Sequence, residues 1–136
     1  MNRIIKFRGK CLYSDEWCFG SLVDYGDGEM EIQGFDVFRG GFNKWIEIRV
    51  DPDTVGQFTG LHDCEGNEIY EGDIVKDEIA GFCGVIKFKD SAFIIDIDKI
   101  KGFLFVCLLT DPLEIVGNIH DNPGLLKGGQ NEQTAE

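Results

Sequence analysis

Glu71-Gly72-Asp73-Ile74-Val75, with Gly84-Val85-Ile86-Lys87-Phe88 a short way downstream, is the stretch on which the fold turns. Gly72 permits a sharp entry that a side chain would resist, and Asp73 is placed to accept hydrogen bonds from nearby backbone N–H groups. Ile74 and Val75 then open a strand apolar on both faces, which requires cover on both sides. Asp73–Ile79 and Phe82–Phe88 are therefore expected to form a hairpin across Ala80-Gly81. Turn, doubly buried strand and return strand together specify β structure.

Working outward, the same grammar repeats. Ile4–Arg8 opens the chain, and Trp17–Tyr25 and Met30–Phe35 flank Gly26-Asp27-Gly28 as a second hairpin. Lys44–Val50 alternates, with Ile46, Ile48 and Val50 facing one way and Trp45, Glu47 and Arg49 the other. Thr54–Leu61 and Glu68–Tyr70 flank Asp63-Cys64-Glu65-Gly66-Asn67, where Gly66 suits a left-handed turn position. Phe93–Ile97, Phe103–Leu109 and Glu114–Ile119 complete the strands, and Asp121-Asn122-Pro123 starts a helical turn ending near Leu126. Isoleucine and valine total 23 and aromatics 16, against three alanines, so the mix favours pleated surfaces over helices. The expected fold is mainly β, with the cadence of small SH3-like barrels. Residues 1–127 read as a single domain and 128–136 as a polar tail.

The chain has 136 residues and a formal charge of −12, and the charge is unevenly spread. Residues 1–50 carry eight acids and seven bases, whereas residues 51–80 carry nine acids and one base, Lys76. A field of that sign repels phosphate backbones, which disfavours direct nucleic-acid binding; it attracts cations or a basic protein surface, although a plain solvated acidic face is the favoured reading. The longest apolar run, Phe103 to Leu109, is far short of the ~18 residues that cross a bilayer. The first residues lack an export signal, so a cytoplasmic protein without membrane contact is expected.

The five cysteines include no Cys-x-x-Cys and there are only two histidines, His62 and His120, so no structural zinc site is expected. Cys83 and Cys107 lie in apolar runs that read as buried, and Cys64 falls in an exposed turn. There is no Gly-x-x-x-x-Gly-Lys for phosphate binding, and His62 with Cys64 makes no convincing nucleophile pair. Asp96 and Asp98 share a strand face beside Lys99, the residue types of a Mg²⁺-dependent nuclease, but solvent-facing alternation explains the same residues without any metal and is the favoured reading. Asp51 and Asp53, and Glu68, Glu71 and Asp73, are further paired acids. No catalytic, cofactor or metal residues are assigned, and the balance falls against an enzyme.

Thr54-Val55-Gly56-Gln57-Phe58-Thr59-Gly60-Leu61, then Gly66-Asn67-Glu68-Ile69-Tyr70-Glu71-Gly72-Asp73-Ile74-Val75, resembles the core motif of the YopX family. Phe7-Arg8-Gly9-Lys10, Trp17 with Phe19-Gly20, Glu114-Ile115-Val116-Gly117-Asn118-Ile119 and Asn122-Pro123-Gly124-Leu125-Leu126 extend the resemblance to residues 7–126. Cys64-Glu65 departs from the polar or basic residues common at that turn and deepens the acidic patch. The resemblance implies a mostly β structure with a partial SH3-like barrel, additional antiparallel strands and little helix, and a phage or prophage origin. It implies no reaction. Physically, the motif reads as turn-rich scaffold, or as an interaction surface formed by Thr59, Tyr70, Glu71 and Asp73. The leading expectation is a non-catalytic module that contacts a host or phage protein, or further copies of itself as a homo-oligomer. The alternatives are a metal-dependent nucleic-acid enzyme using Asp96, Asp98 and Lys99, and an acidic DNA mimic that occupies a host DNA-binding protein.

Overall fold

The computed structural model describes residues 3–35, 37–38, 44–97, 102–105 and 113–125. Its contacts cluster into two compact units, Met1–Gly60 and Leu61–Glu136. The mainly β expectation is met: both units are built from antiparallel strands, and neither sheet closes into a barrel.

The first unit contains β1 (Phe7–Lys10), β2 (Trp17–Asp24), β3 (Met30–Gly34), β4 (Ile46–Val50) and β5 (Gly56–His62), which crosses the division. They lie in the order β4-β3-β2-β1-β5. Register explains the glycines. Gly9 pairs with Cys18, and a Cβ on Gly9 would come within 3.1 Å of the Val50 side chain. Cys18, Ile32, Val37 and Val50 form the buried centre, with Phe7, Ile46, Ile48 and Val55 packed around them. β4 follows its predicted alternation: Ile46, Ile48 and Val50 join this core while Trp45, Glu47 and Arg49 are exposed. An isolated bridge between Cys11 and Val50 curls the far edge towards the end of β1 without closing the sheet. Between β4 and β5, Asp51 accepts from the Asp53 N–H (3.0 Å) to start a 3-10 turn, Pro52–Thr54. The buried Thr54 hydroxyl donates to Asp51 C=O (2.6 Å) and accepts from Lys10 N–H (2.9 Å), fastening the turn to β1.

The second unit adds β6 (Glu68–Tyr70), β7 (Asp73–Asp77), β8 (Phe82–Lys89), β9 (Ala92–Ile97), β10 (Gly102–Phe105) and β11 (Leu113–Asn118). β6 returns beside β5 after the Asp63–Asn67 turn, and the remaining strands lie in the order β10-β9-β8-β7-β11. Ile69, Val75, Ile86, Ile95, Ile97 and Leu113 are the core, each residue removing about 1.5–3 kcal/mol worth of apolar side chain from water. Phe82, Phe93, Leu61 and Ile115 pack against them.

Three sequence expectations are corrected. The first strand is Phe7–Lys10 rather than Ile4–Arg8; Ile4 and Ile5 are 62% and 53% exposed, because pairing with β2 begins at Phe7. Thr54 belongs to the 3-10 turn rather than to β5. Cys83 is exposed, not buried. It pairs with Lys76, so it lies on the opposite side of β8 from Phe82 and Ile86, which meet the core. Cys107, residues 106–109 of the strand expected over Phe103–Leu109, and residues 128–136 lie outside the described residues.

Candidate functional site

The motif folds as two turns, each organised by one aspartate. In the first, the buried Asp63 accepts from the N–H groups of Glu65 (2.9 Å) and Asn67 (2.8 Å), with the Asn67 amide at 3.4 Å. Gly66 sits at φ 88°, the left-handed conformation expected of it. The same carboxylate reaches β11, accepting from Ile115 N–H at 3.1 Å. Burial pushes the Asp63 carboxyl up, but the N–H groups of Ile115, Asn67 and Glu65 outweigh it and leave the group below its ordinary 3.8.

In the second turn Gly72 has φ 92° and Asp73 accepts from Tyr70 N–H at 2.7 Å, as the sequence implied. Gly72 is held from both sides, donating to Ile86 C=O (2.8 Å) and accepting from Ile119 N–H (2.9 Å). The Tyr70 hydroxyl donates to Glu68 at 2.9 Å. Asp77 repeats the device, accepting from Ile79 and Ala80 N–H groups.

These bonds decide how the four predicted surface residues are placed. Tyr70 and Asp73 are brought together, but inside: they are 1% and 2% exposed. Glu71 is half-buried between them. Thr59 is half-buried on β5, in the first unit, whereas the other three belong to the second. Asp96 is held by Lys87, whose Nζ lies 2.6 Å from its Oδ2. Asp98 and Lys99 lie outside the described residues. Among the described residues, no three His, Cys, Asp or Glu side chains converge as a metal site. The Cys64 thiol is pushed up by desolvation and by Asp63, Glu65 and Glu114, and burial pushes Cys18 up to about 12, so neither favours the reactive thiolate.

Two features escaped the sequence reading. Along β1 and the residue before it, Lys6, Arg8 and Lys10 alternate onto one face of an otherwise acidic protein. The Arg8 guanidinium lies 4.7 Å and the Lys10 ammonium 5.8 Å from the Trp17 ring centre, with Lys6 5.4 Å from that of Phe58. The alternation Lys-Phe-Arg-Gly-Lys was the available signal. The second feature is a solvent-facing aromatic pair. Gly34 pairs with Ile46, so Phe35 and Trp45 fall opposite one another, 59% and 47% exposed, edge to face at 5.2 Å between ring centres. Their side of the β3–β4 ribbon continues through Gln33 opposite Glu47 and Glu31 opposite Arg49, with Arg49 paired to Glu29. The Tyr25 hydroxyl donates to Glu31 at 2.8 Å, and that bond draws the carboxyl down and the phenol up.

Among the described residues, no helix is long and apolar enough to cross a membrane. No curated protein matches the chain. Protein EF1440 from Enterococcus faecalis, known by its crystal structure, is 26% identical over 92% of this chain and 99% of its own, with a TM-score of 0.53. The model of the family described as YopX protein matches residues 6–127, a span that includes the whole motif from residue 7 to residue 126, and the chain belongs to the YopX family.

Proposed function

We propose that this chain is a phage- or prophage-encoded, non-catalytic module of the bacterial cytoplasm that works through protein contacts. The observation supporting this reading is the edge-to-face pair Phe35 and Trp45, two large aromatic side chains left about half exposed on one rim of a sheet. Aromatic clusters of this kind are enriched at the centres of protein interfaces, and leaving them in water without a partner is costly. The aspartates in and just after the motif act as framework: Asp63, Asp73 and Asp77 are each occupied by backbone N–H groups. Tyr70 and Asp73 shape the turn, and Glu71 and Thr59 retain exposed area that a partner can touch.

The test is affinity capture from host lysate with wild-type protein and with the double variant Phe35→Ser/Trp45→Ser. Partners recovered by the wild type are expected to be lost by the variant, and equal recovery by both overturns the reading. Incubation with DNA and RNA in the presence of Mg²⁺ or Mn²⁺ separates it from a nuclease. Turnover abolished by Asp98→Ala would replace the interaction module with an enzyme.

A further inference from the structure

We propose that the open rung of β4 pairs, antiparallel, with β4 of a second copy of this chain, across a two-fold axis beside Ile46. This names a partner for the strand edge beside the aromatic pair and so rests on the reading above. The backbone carries the argument. Arg49 C=O accepts from Leu12 N–H (3.0 Å) and Asp51 N–H donates to Lys10 C=O (2.8 Å), on the side of β4 away from β3. Backbone direction alternates along a strand, so Ile46, Ile48 and Val50 point their N–H and C=O groups at β3 while Glu47 points outward like Arg49. The β1–β2 connection turns away before reaching Glu47, with Ser14 N–H directed back to Cys11 C=O. Among the described residues, the backbone hydrogen bonds on this side of β4 involve Arg49 and Asp51 and not Glu47. An outward N–H and C=O at a strand edge are complementary to an extended strand rather than to a helix or a small ligand.

Three observations favour a second copy as that strand. A two-fold pairing satisfies the open rung of both copies at once, and an isologous contact of this kind closes. Residues 1–50 hold eight acids and seven bases, so the repulsion implied by a charge of −12 is concentrated in other parts of the chain. The axis beside Ile46 sets Glu47 against Trp45 of the second copy, an acceptor beside an indole N–H donor, and lays both aromatic pairs along one face of the joined sheet.

Sedimentation equilibrium over a concentration series tests the pairing. The wild type is expected to approach twice the mass of one chain at high concentration. Glu47→Pro removes the outward N–H while leaving the β3–β4 ladder intact, because that N–H is not part of it. It is expected to weaken dimerisation about tenfold or more, with the circular dichroism spectrum unchanged. Trp45→Asp, which alters no backbone group, is expected to act the same way and decides the matter if the proline variant misfolds. A monomer at every concentration, or a dimer that both variants leave intact, overturns the proposal. If the wild type is monomeric and Phe35→Ser/Trp45→Ser still loses a lysate partner, the self-pairing fails and the interaction reading stands.

Discussion

Two turns of the second unit solve the same geometric problem differently. The β5–β6 turn places glycine at its left-handed position, Gly66 at φ 88°, and gathers its N–H groups onto Asp63. The β8–β9 turn places Asp90 at φ 52° and Ser91 at φ 68°, side-chain-bearing residues in a region that costs roughly 1–2 kcal/mol per residue. One turn is matched to its backbone and tied to a distant strand; the other holds its shape because the strands on either side, from Lys89 opposite Ala92 to Val85 opposite Asp96, hold it. Local chemistry dictates the first, and tertiary pairing imposes the second.

The largest expected effect is at Asp63. Asp63→Ala leaves the N–H groups of Glu65, Asn67 and Ile115 without their acceptor, and urea denaturation should show a loss of roughly 2–4 kcal/mol. The acid response follows from the same group. Its folded value lies below its ordinary 3.8, so the stability it contributes is complete above that value and is lost as pH falls through the folded one. Melting temperature followed downward from pH 5 should therefore fall in the wild type, and Asp63→Asn should remove this part of the fall. Next is Gly66→Ala, expected to cost about 1 kcal/mol at φ 88°, since open space around the site means only backbone strain opposes the methyl group. Smallest, and opposite in sign, is Ser91→Gly, expected to gain about 0.5–1 kcal/mol by relieving φ 68°. Should Ser91→Gly destabilise as Gly66→Ala does, the contrast between the two turns would be lost.

Much of the fold was legible because β-branched runs and glycine turns are local signals. Gly66, Gly72 and the bond from Tyr70 to Asp73 could be read from neighbouring residues alone. What could not be read depended on register. Tyr70 and Asp73 carry polar atoms that look suited to a surface, and they are accommodated inside because Asp73 accepts from the Tyr70 N–H and the Tyr70 hydroxyl donates to Glu68. Phe35 and Trp45 are ten positions apart in sequence, and they become neighbours only once Gly34 is known to pair with Ile46. Cys83 looked buried by composition but sits on the wrong side of its strand. The division between the units falls within β5 rather than in a linker, and the acidic shift in composition begins before it, at residue 51.

The reach of Asp63 also has a temporal side. Its bond to Ile115 spans 52 residues, and β7 likewise waits for β11 as its neighbour. On the ribosome, every strand of the first unit but the last residues of β5 has been made by Gly60, and that unit can condense early. The second unit holds its carboxylate and one flank of β7 open until Leu113–Asn118 emerges, so the nascent chain is most exposed to proteases and mispairing in that interval.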